Sequence, residues 1–184
     1  MPQGTNLGTI LFILVINDLS ARLQLSKLLK YTDDTKLFLA VAGIDEVNLL
    51  QRDLDSFREW SIENGLLINF DKSKVISFYR GNRLVEVDYS VGFQSLERVE
   101  SIRDLGVIYD STLYFNEQID KVVWKALRIL LSIRYITLDL RNVSTIVYLY
   151  KTPLLPILTY NSVACFPRTD NDFRKLISIE HQIL

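Results

Sequence analysis

Apolar residues dominate the chain from Leu7 to Leu25. The centre of that stretch, Ile10–Ile16, fits a buried strand or a buried helix equally well. Leu19 and Leu23 continue the pattern at four-residue spacing, so a helix is expected. Two short apolar runs follow, Leu28–Tyr31 and Lys36–Val41, on either side of Thr32-Asp33-Asp34-Thr35. This spacing predicts a β-hairpin with acidic residues at its tip. From Ile44 to Asn64, Val47, Leu50, Leu54, Phe57 and Trp60 recur every three or four positions and form one apolar stripe. Asp45 and Glu46 suit the positive end of that helix, and Gly65 suits the position just past its other end.

Beyond Gly65 the pattern shortens. Leu66–Phe70, Lys74–Tyr79, Glu86–Val91 and Leu105–Tyr109 read as strands, with turn signals at Arg80-Gly81-Asn82 and at Gly92. The stretch Leu96–Asp104 is ambiguous. Asn116 is expected to cap a long helix reaching about Tyr135. Lys121, Lys125 and Arg128 fall together opposite its broad apolar face. Another helix is expected from about Asn142, interrupted by Pro153 and Pro156. A short amphipathic piece covers Phe173–Leu184. Helix, hairpin, helix, strands and then helices make an α+β chain. The expected division lies near Asp110–Asn116, with a mixed part over 1–110 and a helical part over 111–184.

Composition narrows the chemistry. One cysteine, Cys165, excludes an internal disulfide and a zinc cluster. The one histidine, His181, has no partner pattern. Magnesium chemistry stays open, because it needs only carboxylates. The formal net charge is −1 in 184 residues, where a nucleic-acid polymerase is usually more basic. The longest apolar run, Ile10–Ile16, is too short to span a bilayer, and no basic segment precedes it as in a signal peptide. No membrane association is therefore expected. An intracellular setting is, with nucleus and cytoplasm not distinguished and the oligomeric state undetermined.

Tyr31-Thr32-Asp33-Asp34 is the first candidate site. Two-metal phosphoryl transfer needs carboxylates around a pair of cations about 3.5–4 Å apart. A hairpin tip can turn neighbouring aspartates toward one site, whereas a straight strand sends them to opposite faces. By themselves these four residues read more readily as a solvated turn. Pro2-Gln3-Gly4-Thr5-Asn6-Leu7-Gly8 is the second candidate, a loop ahead of a helix whose backbone N–H groups can approach a nucleotide. It too says little alone.

Taken together and in order, these segments resemble the reverse transcriptases of non-LTR retrotransposons, the jockey-like elements in particular. The residues that carry the resemblance are Pro2-Gln3-Gly4, Leu7-Gly8, Ile16-Asn17-Asp18-Leu19 and Tyr31-Thr32-Asp33-Asp34-Thr35-Lys36-Leu37-Phe38. It continues through Asp53-Leu54-Asp55, Glu59-Trp60, Asn69-Phe70-Asp71-Lys72-Ser73-Lys74, Arg103–Asp110 and Pro156–Tyr160. The resemblance implies a right-hand polymerase palm over 1–110 and a helical thumb-like part over 111–184. It implies RNA-templated DNA synthesis, with an RNA template, a DNA primer and deoxynucleoside triphosphates as partners. Asp33 and Asp34 would hold Mg²⁺, or Mn²⁺ in its place, with Asp33 the more direct ligand. Lys72 would face the triphosphate. Gln3, Gly4 and Tyr31 would line the nucleotide and template side, and Lys121, Lys125 and Arg128 are candidate phosphate contacts.

The departures bear on activity. In that family a further essential aspartate lies on a strand ahead of Pro-Gln-Gly, with the fingers subdomain, and here the sequence starts at Met1-Pro2-Gln3. It also stops at Ile183-Leu184, within a segment that continues in the family. Thr32 stands where the family usually has Ala, Thr5 where it has Ser, Thr9 where Pro is common and Leu155 where Arg is common. Two adjacent aspartates without a third carboxylate would under-ligate two Mg²⁺ ions. Asp18 is expected to cap or solvate the end of the preceding helix. The chain is thus expected to lack polymerase activity by itself. The alternatives are a non-catalytic nucleic-acid-binding remnant and an inert product of a decayed element.

Overall fold

The computed structural model describes residues 6–81, 86–137 and 142–181. The chain forms two compact units, one of Met1–Val75 with Asn82–Val99 and one of Ile76–Gly81 with Glu100–Leu184. Each mixes helices with two-stranded sheets, so the chain is α+β.

In the first unit, α1 (Asn6–Arg22) packs on α2 (Ile44–Glu63). Ile16, Leu19 and Trp60 are buried between them, with Phe12, Val15, Leu28, Phe57 and Leu66 around them. Two of α1's turns are thus spent on the core, while Leu7, Ile10, Ile13 and Leu14 on its other sides stay exposed. Between these helices lies the expected hairpin, β1 (Lys27–Tyr31) antiparallel to β2 (Asp34–Phe38), in register from Lys27–Phe38 to Tyr31–Asp34.

Helix α2 stops through hydrogen bonding. Gly65 has φ +65°, its N–H donates to Ile62 O, and the Leu66 N–H reaches back to Ser61 O. This is a Schellman ending, closed by Leu66 packing into the core beside Trp60. It removes the strand expected over Leu66–Phe70. The next residues form a turn, with the Ser73 N–H donating to Asn69 O and Phe70 O. Of the strand expected over Lys74–Tyr79 only β3 (Lys74–Val75) exists, and of Glu86–Val91 only β4 (Ser90–Val91). β4 pairs with β5 (Gln94–Ser95) around Gly92, and β3 runs parallel to β6 (Glu97–Arg98).

In the second unit, β7 (Ser101–Asp104) and β8 (Val107–Asp110) form an antiparallel hairpin. Part of the ambiguous stretch is therefore strand, and Leu105 and Gly106 are its turn. Helix α3 spans Asn116–Ile136. The expected cap at Asn116 is not the cap: Asn116 is already helical, and Phe115 before it sits in the left-handed region at φ 62°. Among the described residues no side chain caps the helix; Asp110 holds the segment that leads into it, accepting the N–H groups of Thr112, Tyr114 and Phe115. After Asn142, whose side chain accepts from the Ser144 N–H, comes α4 (Val143–Leu149). Pro153 does not break the chain out of helix. The backbone widens to π-type winding over Tyr150–Leu154 and resumes as α5 (Leu155–Thr159), with Pro156 near its start. A π-turn absorbs the N–H that proline lacks. Helix α6 (Asp170–His181) starts three residues before the expected piece. Ala126, Leu130, Leu154 and Ile179 form this unit's core.

Candidate functional site

The β1–β2 hairpin puts its acids where a rigid pair of strands meets solvent. Thr32 and Asp33 make the turn, and Asp34 is the first residue of β2, opposite Tyr31. Tyr31, Asp33 and Asp34 are all exposed. Thr32 adopts φ 51°, which a β-branched residue rarely tolerates, and its hydroxyl donates to Asp33 Oδ1 at 2.8 Å. Strain of this kind persists only where the surroundings over-determine it. The Thr32 hydroxyl, an N–H at Asp33 and the charge of Lys72 hold the Asp33 carboxyl below the usual carboxylate range. Asp33 therefore stays ionised, as a cation ligand must.

Lys72 belongs to the turn that follows α2. Its N–H donates to Asn69 Oδ1 at 3.2 Å, and its side chain is exposed within electrostatic reach of Asp33. Lys72, 39 positions after Asp33 in the sequence, exerts the smallest of the effects that lower the Asp33 carboxyl. Beside this turn is an open hollow of about 460 Å³ lined by Leu67, Ile68, Asn69, Phe70, Asp71 and Gln94. Its lining includes one acid and no cation, so it does not by itself select a phosphate.

Two tethers hold the hairpin. Lys30 Nζ donates to Ile16 O at 3.2 Å and to Asn17 Oδ1 at 3.1 Å, fixing β1 to α1. Asp53, 1% exposed within α2, accepts the N–H groups of Gln24, Leu25 and Ser26 just ahead of β1. Sequence reasoning took Asp53 only as part of a family resemblance. A physical signal was present, because Asp53 sits three residues after Leu50 and four before Phe57, on the apolar stripe itself. Asp110 too was read only within a family resemblance, and Gln118 not at all. Gln118 is buried in α3 and its Oε1 accepts the Ile108 N–H at 3.0 Å.

Gln3 and Gly4 lie outside the described residues. Asp18 is exposed on the last turns of α1. On α3, Lys125 and Arg128 are exposed, while Lys121 is half-buried and its Nζ donates to Gly106 O at 3.3 Å. Lys121 thus ties α3 to the β7–β8 turn.

The donors at the tip are hard carboxylate oxygens, which suit one divalent ion completed by water. Among the described residues no group of three acidic, histidine or cysteine side chains comes together to hold a metal. The described residues therefore do not build a two-ion clamp. Also among them, no helix is long and apolar enough to cross a membrane.

A family model described as reverse transcriptase (RNA-dependent DNA polymerase) matches residues 1–109, from the opening loop to β8. No curated protein and no solved structure matches the chain.

Proposed function

The chain belongs to the reverse transcriptase family, and from that premise we propose that it is the palm and thumb-like portion of a non-LTR, jockey-like retrotransposon enzyme. The palm is assigned to 1–110 and the thumb-like part to 111–184. The parent reaction is attack of a DNA primer's 3′-hydroxyl on a deoxynucleoside triphosphate, directed by an RNA template, with pyrophosphate leaving. Its setting is intracellular. Enzymes of this family use divalent metal ions.

The observation that carries this reading is the strained hairpin tip, where an ionised Asp33 stands beside Asp34 and within reach of the Lys72 charge. In this reading Asp33 and Asp34 are the cation-holding pair, and Lys72 approaches the incoming triphosphate. Tyr31, with Gln3 and Gly4, lines the nucleotide and template side. Exposed Lys125 and Arg128, with Lys121, are offered to template–primer phosphates. The reading also holds that these 184 residues do not extend a primer unaided.

Primer extension on an RNA template tests it, with the chain compared to Asp33→Ala. We expect no extension by either protein. Extension by the chain and not by the variant would confirm the catalytic pair and refute the incompleteness. Equal extension by both would refute the role of Asp33.

A further inference from the structure

Asp53 is a carboxylate with almost no access to water, 1% exposed in the middle of α2. An ionised carboxylate is costly there unless donors surround it. Three do: the Gln24 N–H meets Oδ1 at 2.8 Å, and the Leu25 and Ser26 N–H groups meet Oδ2 at 3.2 and 2.7 Å. Burial alone would push the acid up, yet these N–H groups together with the Ser26 hydroxyl outweigh it and hold it below the usual carboxylate range. All three belong to the link between α1 and β1, and β1 starts at Lys27, the next residue. Packing does not explain this arrangement. An apolar side chain would fill the space but would leave three N–H groups unpaired and free to point elsewhere.

We propose that Asp53 is the positioning residue of the Asp33–Asp34 pair, fixing the foot of the β1–β2 hairpin to α2 and so the place of its tip. The proposal rests on the reading of that pair as catalytic. Lever length shows why the foot matters. A five-residue strand rises about 3.3 Å per residue, so the tip stands roughly 17 Å from the foot. A tilt of about 5° there moves the tip by about 1.5 Å, and a 1 Å misplacement can cost about 100-fold in rate. Lys30 restrains the strand nearer the tip, through α1. The two tethers together fix the hairpin against both helices.

The test is amide hydrogen exchange and Mn²⁺ relaxation, by NMR, on the whole chain, with Asp53→Ala and Asp53→Asn. Asp53→Ala should speed exchange of the β1–β2 amides at least about tenfold while α2 and the second unit keep their rates. Asp53→Asn, which retains one carbonyl acceptor, should recover part of that protection. Broadening of the Thr32–Thr35 amides by Mn²⁺ should become weaker and more diffuse in Asp53→Ala. Unchanged hairpin exchange, or a loss spread evenly over the chain, would overturn the proposal. If neither variant folds, the wild type decides. The Gln24 and Ser26 amides should then open together with those of β1, and opening of Gln24–Ser26 while the hairpin stays protected would overturn it. Absence of selective Mn²⁺ broadening in the wild type would instead remove the catalytic reading and leave the Asp53 contacts standing.

Discussion

Replacing Asp110 by alanine should destabilise the second unit by about 2–3 kcal/mol. The carboxylate accepts N–H groups from Thr112 at 3.0 Å, Tyr114 at 3.1 Å and Phe115 at 2.6 Å. A hydrogen bond to a charged group contributes about 1.5–3 kcal/mol when shielded. Only Phe115 is buried; Tyr114 is exposed and Thr112 half-buried, so water can replace the acceptor there. The Phe115 bond should therefore supply most of the loss. The other two should add roughly 0.5 kcal/mol each, and the charge at the start of α3 a few tenths more. Phe115 would still pack edge-on against Tyr109, 5.7 Å between ring centres, which keeps the helix from fraying completely. Urea unfolding followed by circular dichroism measures the difference. The midpoint should fall by about 1–2 M. The pH dependence has a fixed sign. Burial alone would push Asp110 up, but the Thr112 hydroxyl and the backbone N–H groups hold it below the ordinary 3.8. Its stabilisation is thus present above that value and is lost as pH falls through the lower folded-state value. The gap between wild type and variant should close over that window. A loss under about 0.5 kcal/mol, or a gap that ignores pH, would refute the reasoning.

Other substitutions have defined outcomes. Trp60 is buried, with no acceptor for its Nε1 among the described residues. Trp60→Phe removes that unpaired donor along with ring volume, so its cost in urea unfolding should stay below about 1.5 kcal/mol, against about 3–5 for Trp60→Ala. Leu154 is fully buried where the π-type segment meets the core of the second unit, and Leu154→Ala should cost about 2–5 kcal/mol by the same measurement. Burial pushes the Cys165 thiol up, and the Asn161 amide only partly offsets it. Near neutral pH a water-soluble disulfide reagent should label Cys165 much more slowly in the folded chain than in urea, and equal rates would contradict the burial.

Much of the fold was readable where one local rule governed it. The stripe of α2 and the apolar stretch of α1 fixed both helices, and two apolar runs around four polar residues fixed the hairpin. The failures lie where partners come from outside the local window. Leu66–Phe70 has strand-like composition, but the Leu66 N–H is taken by Ser61 and its side chain by the core. Asn116 has the composition of a cap, but the helix already includes it, and Asp110 instead pins the segment before it through the N–H groups of Thr112, Tyr114 and left-handed Phe115. Pro153 was expected to interrupt a helix that instead widens around it. At the candidate site, Asp33 and Asp34 by themselves read as a solvated turn, and only the family resemblance made them a cation-holding pair. The expectation that Lys72 faces the triphosphate came only from the family resemblance, since nothing local links residues on either side of α2. The anchoring by Asp53 depends on three backbone N–H groups whose direction no side-chain pattern records.

The central claim is that the hairpin tip is the cation-holding element of a reverse transcriptase palm. Titrating the chain with Mn²⁺ while recording its amide NMR spectrum, beside an Asp33→Ala, Asp34→Ala double variant, tests it most directly. The account predicts broadening that starts at Thr32–Thr35, extends to Lys72 and disappears in the variant while the rest of the spectrum stays folded. Broadening that is absent, that begins elsewhere or that survives both substitutions would contradict it.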